Sequence, residues 1–299
     1  MTRRDAFDFV LLASIWGASF LFMRIGAPEF GPFALIGLRS GIAALCLLPL
    51  VFLRDGGAPL FAAARPLAIV GITNAAAPFT LLAYAALSLT AGFSSLINAG
   101  TPLWAAVVGL VWLNATLTRP QWIGLALGML GMVALTWGKV DFKPGGSGLA
   151  VVAGIVATAA YGFSTHYAKK NLAGVSPMTV AAGSQTASAL VLLPFTVIFW
   201  PEKTPSLAAW AAAVALAAVA TAFALVLYFR LIARLGGQKA STVTFLIPVF
   251  AVGWGALFLG ETVTWTMLFG GAIVLVGTGL TLGFGAKPSK SPTASVQKL

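Results

Sequence analysis

Charge is what this 299-residue chain has least of: Asp, Glu, Lys and Arg together make up 8% of it, where a soluble domain carries roughly a quarter. A soluble core is thereby excluded. The single histidine, His166, rules out a His-rich zinc or iron centre, and no His-Glu-x-x-His pattern occurs. Cys46 is alone, which excludes an internal disulfide and any cysteine metal cluster. The seven carboxylates, Asp5, Asp8, Glu29, Asp55, Asp141, Glu202 and Glu261, all fall at the ends of apolar runs or between them. No nucleophile with a base, paired carboxylates or ligand cluster assembles, so the sequence reads as a non-enzyme without cofactor or metal. After Arg3-Arg4 the first apolar run lacks a small-residue cleavage site, and it reads as a retained span rather than a signal peptide.

What is present is hydrophobic length. Residues of the hydrophobic types make up 59% of the chain. Runs long enough to cross about 30 Å of hydrocarbon as helices recur between short polar breaks. They lie near 6–26, 33–53, 66–88, 91–113, 121–138, 148–168, 178–199, 207–230, 239–259 and 264–283. The reading is an all-α membrane protein with ten transmembrane helices, five in each half. The halves are 1–143 and 144–285, divided in the connection Lys143-Pro144-Gly145-Gly146, and residues 286–299 form a Ser-, Lys- and Pro-rich tail expected to be disordered and cytoplasmic.

A net charge of +11 raises the question of nucleic acid, and its distribution answers it. Of 18 Lys and Arg residues, 13 fall on the amino-terminal side of the alternating spans and 4 (Arg24, Lys139, Lys143, Lys203) on the other, with Arg39 inside the second span. By the positive-inside rule both termini are cytoplasmic. The expected partners are a lipid bilayer and a small-molecule substrate, not nucleic acid.

The chain also repeats itself at an offset of about 145 residues. Trp16-Gly17-Ala18-Ser19 matches Tyr161-Gly162-Phe163-Ser164, Arg24 matches Lys169, Pro32 matches Pro177, and Leu47-Leu48-Pro49 matches Leu192-Leu193-Pro194. With small shifts, Tyr84 meets Tyr228 and Pro102 meets Pro248. Two related halves with an odd number of spans must insert in opposite orientations, a recurring construction of secondary transporters. One chain holds both halves, so a monomer is sufficient, while its glycine-rich faces permit a dimer.

Polar and aromatic side chains in the hydrocarbon zone mark the candidate interior. At mid-depth stand Asn74, Thr80, Asn98, Thr101, Ser184, Gln185, Thr221 and Thr244, joined by Trp16, Phe79, Tyr84, Trp104, Tyr161 and Trp254. Pro78, Pro102 and Pro248 fall near the middle of the third, fourth and ninth spans, where a missing N–H lets a helix bend, so they are candidate hinges as well as candidate static kinks. Gly124, Gly128 and Gly131 in the fifth span and Gly270, Gly271 and Gly277 in the tenth suit close helix packing outside the transport path. Arg39 could anchor a carboxylate or phosphate; snorkelling to the outer interface, or bonding helix-end carbonyls, is the preferred reading. His166 is a gate candidate, with a structural hydrogen-bonded role preferred. The absence of a mid-membrane carboxylate points to a uniporter or exchanger, or to coupling through another group.

The combination of ten spans in two halves, each ending in a Pro-centred helix, a polar turn and a Gly-rich helix, resembles the EamA-type exporters of the drug/metabolite transporter superfamily. Pro248 through Leu259, Gly260-Glu261, Thr264 and Gly270 carry the likeness. In the first half Pro102, Leu113, Thr118 and Gly124 fit, with Asn114-Ala115 in place of Gly-Glu. The length and the Trp16-Gly17-Ser19-Phe20 opening are similar to bacterial amino acid exporters of the YddG type. The resemblance implies export of aromatic and other neutral amino acids from the inner membrane by alternating access. It also implies a cavity lined by Trp16, Asn74, Phe79, Tyr84, Asn98, Thr101, Tyr161 and Thr244. A multidrug exporter of aromatic or cationic compounds is the alternative.

Overall fold

The computed structural model describes residues 1–138, 141–142 and 146–283, so most of the connection between the halves and the carboxy-terminal tail lie outside it. Among the described residues every regular element is helical. They are α1 (Arg3–Arg54), α2 (Ala58–Ala62), α3 (Ala64–Gly71), α4 (Ala77–Ala85), α5 (Ala91–Asn98), α6 (Thr101–Leu113) and α7 (Arg119–Thr136). There follow α8 (Gly148–Asn171), α9 (Pro177–Ile198), α10 (Leu207–Val214), α11 (Ala224–Leu235), α12 (Gly237–Ser241), α13 (Ile247–Leu259) and α14 (Trp265–Thr281). π-helical turns at Ile72–Ala76 and Ala215–Phe223 join α3 to α4 and α10 to α11, and a 3-10 turn at Thr242–Phe245 joins α12 to α13.

Seven helical stretches are long and apolar enough to cross a membrane, and α14 is a shorter apolar helix. α1 has 52 residues, about 78 Å at 1.5 Å per residue and more than twice the hydrocarbon thickness. It turns at Gly31, whose φ of 72° lies in the left-handed region that a side chain would disfavour. The outer surface is apolar: Leu45, Leu53, Val111, Ile123, Leu190, Val197 and Phe269 are all exposed. In water such a surface would drive aggregation; in lipid it is solvated, while the helices satisfy their own backbone groups.

Lipid offers no hydrophobic drive for helix association, so close backbone approach must supply dispersion contacts. α7 and α14 show this: a Cβ at Gly277 would collide with the backbone of Gly128, and one at Gly131 with that of Val274. The glycine pair expected from the sequence is therefore an internal packing seam.

The carboxylates are spent on helix ends. Asp5 completes a capping box with Thr2. Asp55 accepts from the hydroxyls of Ser176 and Thr179 at the start of α9, and Glu29 accepts from the Ser206 N–H (2.6 Å) and hydroxyl (2.8 Å) at the start of α10. Arg234, on α11, pairs with Asp5 and Asp8 of α1. These contacts define two ends of the bundle. Asp5, Asp8, Asp55, Ser176 and Arg234 lie at the end of the amino terminus; Arg24, Glu29, Ser206 and Glu261 lie at the opposite end.

Candidate functional site: a cavity closed at one end

A cavity of about 500 Å3 lies among α1, α3 to α6, α8, α9, α11 and α13 and the two π turns. That is ample for a small metabolite. Its exposed wall residues Asn74, Thr165 and Thr244 lie toward the amino-terminal end, whereas Phe20, Met23 and Leu82 on the far side are buried in the largest apolar cluster. The cavity opens toward the end bearing the amino terminus and is shut at the other.

Seven of the eight expected lining residues meet there: Trp16, Asn74, Phe79, Asn98, Thr101, Tyr161 and Thr244. Trp16 packs on Tyr228 with ring centroids 5.1 Å apart, and Phe79 meets Tyr161 edge-on at 6.2 Å. Asn74 stands in the first π turn, a device that shifts helical register and re-aims side chains. Asn98 ends α5 and Thr101 begins α6, and the Thr101 hydroxyl donates to the Asn98 carbonyl at 2.8 Å. Thr244 projects from the 3-10 turn before α13. Tyr84 does not line the cavity; it lies toward the closed end and is half exposed on the outside, while its repeat partner Tyr228 takes a place in the wall.

The prolines are placed differently from the mid-helix bends expected. Pro102 and Pro248 occupy the first turns of α6 and α13, after a break at Ala99-Gly100 and a 3-10 turn, so each starts a helix segment where its missing N–H costs nothing. Both line the cavity. Pro78 is buried behind the wall, in the first turn of α4, just after the π turn.

Arg39 departs most from its expected setting. It does not snorkel: it is 5% exposed and lines the cavity. Its Nε–H donates to the Thr221 hydroxyl at 2.9 Å, and its guanidinium carbon lies over the Phe79 ring, 3.5 Å from the centroid. Thr221 passes its own proton to the Leu216 carbonyl at 2.8 Å within the second π turn. That fixes a hydroxyl lone pair toward Arg39. No carboxylate among the described residues pairs with Arg39. A charge at mid-membrane depth costs about 2.5–3.5 kcal/mol on insertion scales, and the ring face and hydroxyl offset part of this. The signal for it was an arginine inside an apolar run; what sequence could not show was Thr221, 182 residues away.

Gln185 and Asn98 also face the cavity, each with a buried amide oxygen that has no hydrogen-bond partner among the described residues. His166 sits outside the cavity wall, its Nε2 2.8 Å from the Ala105 carbonyl, and ties α8 to α6.

A multi-pass helical membrane protein with a cavity closed at one end, mainly apolar and carrying a few polar groups, has the architecture of a carrier. The chain belongs to the EamA-like transporter family, within the drug/metabolite transporter superfamily; the family's model matches residues 7–137 and again 148–283. It is 27% identical over 288 residues to an uncharacterized inner membrane transporter of Escherichia coli, YedA, covering 93% of this chain and 92% of that protein. To a probable amino-acid metabolite efflux pump of Salmonella typhimurium it is 26% identical over 298 residues, covering 93% and 94%. A chain of known crystal structure shares the fold with a TM-score of 0.65 at 17% identity, covering 94% of this chain and 98% of that one. The protein is a multi-pass inner-membrane transporter.

Proposed function

We propose that this protein exports small neutral metabolites, foremost amino acids, across the inner membrane by alternating access. The observation that carries the reading is the cavity, walled by helices from both matched stretches and open at one end only. A substrate would enter from the amino-terminal end, settle beside Trp16, Asn74, Phe79, Asn98, Thr101, Tyr161 and Thr244, and leave when the far end opens. Pro78, Pro102 and Pro248, beside π turns and helix breaks, are the proposed hinges. The efflux pump of Salmonella typhimurium supports the substrate class. Arg39 in the wall weighs against the multidrug alternative, because it repels organic cations.

The topology proposed with it has ten spans: α1 counts twice, on either side of Gly31, and α7 and α14 form the last span of each half. In this reading the halves 1–143 and 144–285 are inverted repeats, which the double family match supports, and both termini are cytoplasmic, which the excess of Lys and Arg on that side supports. A monomer suffices.

Counterflow in proteoliposomes without an ion gradient tests this. With unlabelled amino acids inside, labelled phenylalanine, threonine or methionine should accumulate transiently. Trp16→Ala and Asn98→Ala should each lower that flux while the protein stays folded. Absence of counterflow by folded wild-type protein would exclude an amino acid carrier that cycles without an ion gradient.

A further inference from the structure

The cavity holds one full charge and several neutral polar groups, and these are not arranged at random. Arg39 is anchored by one edge only. Its Nε–H is used by Thr221 and one face by Phe79, and among the described residues no other hydrogen bond engages the guanidinium. The four terminal N–H donors are thus left for whatever enters the cavity, in the planar fork that matches a carboxylate. Gln185, itself only 4% exposed, and Asn98 bring amide oxygens that lack a donor. Those oxygens accept hydrogen bonds and suit an ammonium or hydroxyl. No Asp or Glu lines the cavity to offer an ammonium a full counter-charge.

We infer that Arg39 is the carboxylate anchor of the cavity, and that the transporter selects its substrates first by a carboxylate group and only second by an amino group. The inference rests on the amino acid export reading and sharpens it. A carboxylate on Arg39 gains a bidentate pair between opposite full charges, whereas an ammonium on Gln185 or Asn98 meets only neutral dipoles and no counter-charge. Removing the carboxylate from a ligand also leaves the guanidinium buried without a counter-charge, and removing the ammonium leaves only neutral amides wanting. The side chain of such a ligand would lie against Trp16, Phe79 and Tyr161, so an aromatic or aliphatic acid fits.

The test uses purified full-length protein in detergent and three ligands that differ by one group: phenylalanine, 3-phenylpropionate without the ammonium, and phenethylamine without the carboxylate. Binding is followed by calorimetry. Phenylalanine and 3-phenylpropionate should bind, phenethylamine should bind at least roughly tenfold more weakly than either, and Arg39→Gln should reduce the first two by a similar factor while leaving phenethylamine unchanged or improved. Arg39→Lys keeps the charge without the fork and should lie between. If Arg39→Gln does not fold, the ranking in wild-type protein decides. Phenethylamine binding as well as phenylalanine would overturn the anchor and leave the amino acid reading standing. Binding of 3-phenylpropionate but not phenylalanine, lost in Arg39→Gln, would uphold the anchor and overturn the amino acid reading. No binding of any of the three to folded protein would overturn both.

Discussion

The turn that follows α13 and the equivalent turn that follows α6 have the same backbone and different side chains, and the two ends of the bundle differ accordingly. Gly260 and Asn114 both take the left-handed conformation, with φ of 63° and 50°. The next residue in each returns its N–H to a glycine carbonyl, Glu261 to Gly255 at 3.1 Å and Ala115 to Gly109 at 3.0 Å. Glu261 then reaches across to the other half, where its carboxylate accepts from the Ala91 N–H (2.9 Å) at the start of α5. Arg24 lies 3.9 Å from it and donates to the carbonyls of Ala86 (2.6 Å) and Leu87 (3.0 Å). Ala115 has only a methyl and no polar group to reach with, and α12 begins at Gly237, after Gly236, without a side-chain cap. The Glu261 turn therefore latches the halves together at one end, whereas the Ala115 turn makes no such tie at the other, where the halves meet instead through Asp55 with Ser176 and Thr179 and through Arg234 with Asp5 and Asp8; the cavity opens at that second end. The repeat supplies a common scaffold, and a residue at an equivalent turn is one way in which the two ends differ.

Breaking the latch should have the largest effect. Glu261→Ala removes the acceptor for α5 and the partner of Arg24, a loss of about 1–3 kcal/mol by analogy with caps and charged hydrogen bonds. A lowered melting temperature should accompany faster thiol labelling of a cysteine placed at Phe20, at the closed end of the cavity, in a Cys46→Ser background. Unchanged labelling would mean that the apolar cluster around Phe30 and Leu216, not Glu261, holds that end shut. Arg24→Gln should act in the same direction with a smaller loss, about 1 kcal/mol, because Glu261 keeps its bond to Ala91. Ala115→Glu sharpens the comparison from the other side. A carboxylate there should cap α12, raise stability by a few tenths to about 1 kcal/mol and slow counterflow, as a second latch favours closure of the open end.

How far the sequence carried is seen in particular elements. The spans expected at 91–113 and 239–259 coincide with the apolar stretches Ala91–Leu113 and Lys239–Leu259, because apolar length is a local property. Of the cavity wall, the polar residues Asn74, Asn98, Thr101, Ser184, Gln185, Thr221 and Thr244 were legible for a similar reason: polar groups at mid-depth are too costly to face lipid. The π turn at Ala215–Phe223 was not legible, since its residues include neither proline nor glycine and the extra residue is accommodated by tertiary packing. Arg39 was given the wrong setting because its partners Thr221 and Phe79 come from other helices. Tyr84 and Tyr228 are equivalent in the repeat, yet only Tyr228 lines the cavity. A repeat makes two halves look alike; it cannot say which end of the pair is open.

Acidification should give the smallest effect, and it bears on both ends at once. Hydrogen bonds from the Ser206 N–H and hydroxyl hold the Glu29 carboxyl below its ordinary value at the latched end. At the open end the Ser176 and Thr179 hydroxyls lower that of Asp55, and the Thr2 backbone and hydroxyl lower that of Asp5. A carboxylate whose folded value is depressed contributes stability at every pH above its unfolded value, and that contribution fades as pH falls through the folded value. Melting temperature should therefore be level near neutrality and decline below about pH 4, the ordinary carboxylate range. Glu29→Gln and Asp55→Asn should each make the decline shallower. Glu29 is exposed and Asp55 partly so, which makes their shares small, while Asp5 is shielded by its capping contacts. Should Glu29→Gln alone flatten the curve, acid acts first on the end that Glu261 latches. Should Asp55→Asn do so, it acts first at the mouth of the cavity, where the start of α9 is tied to the end of α1.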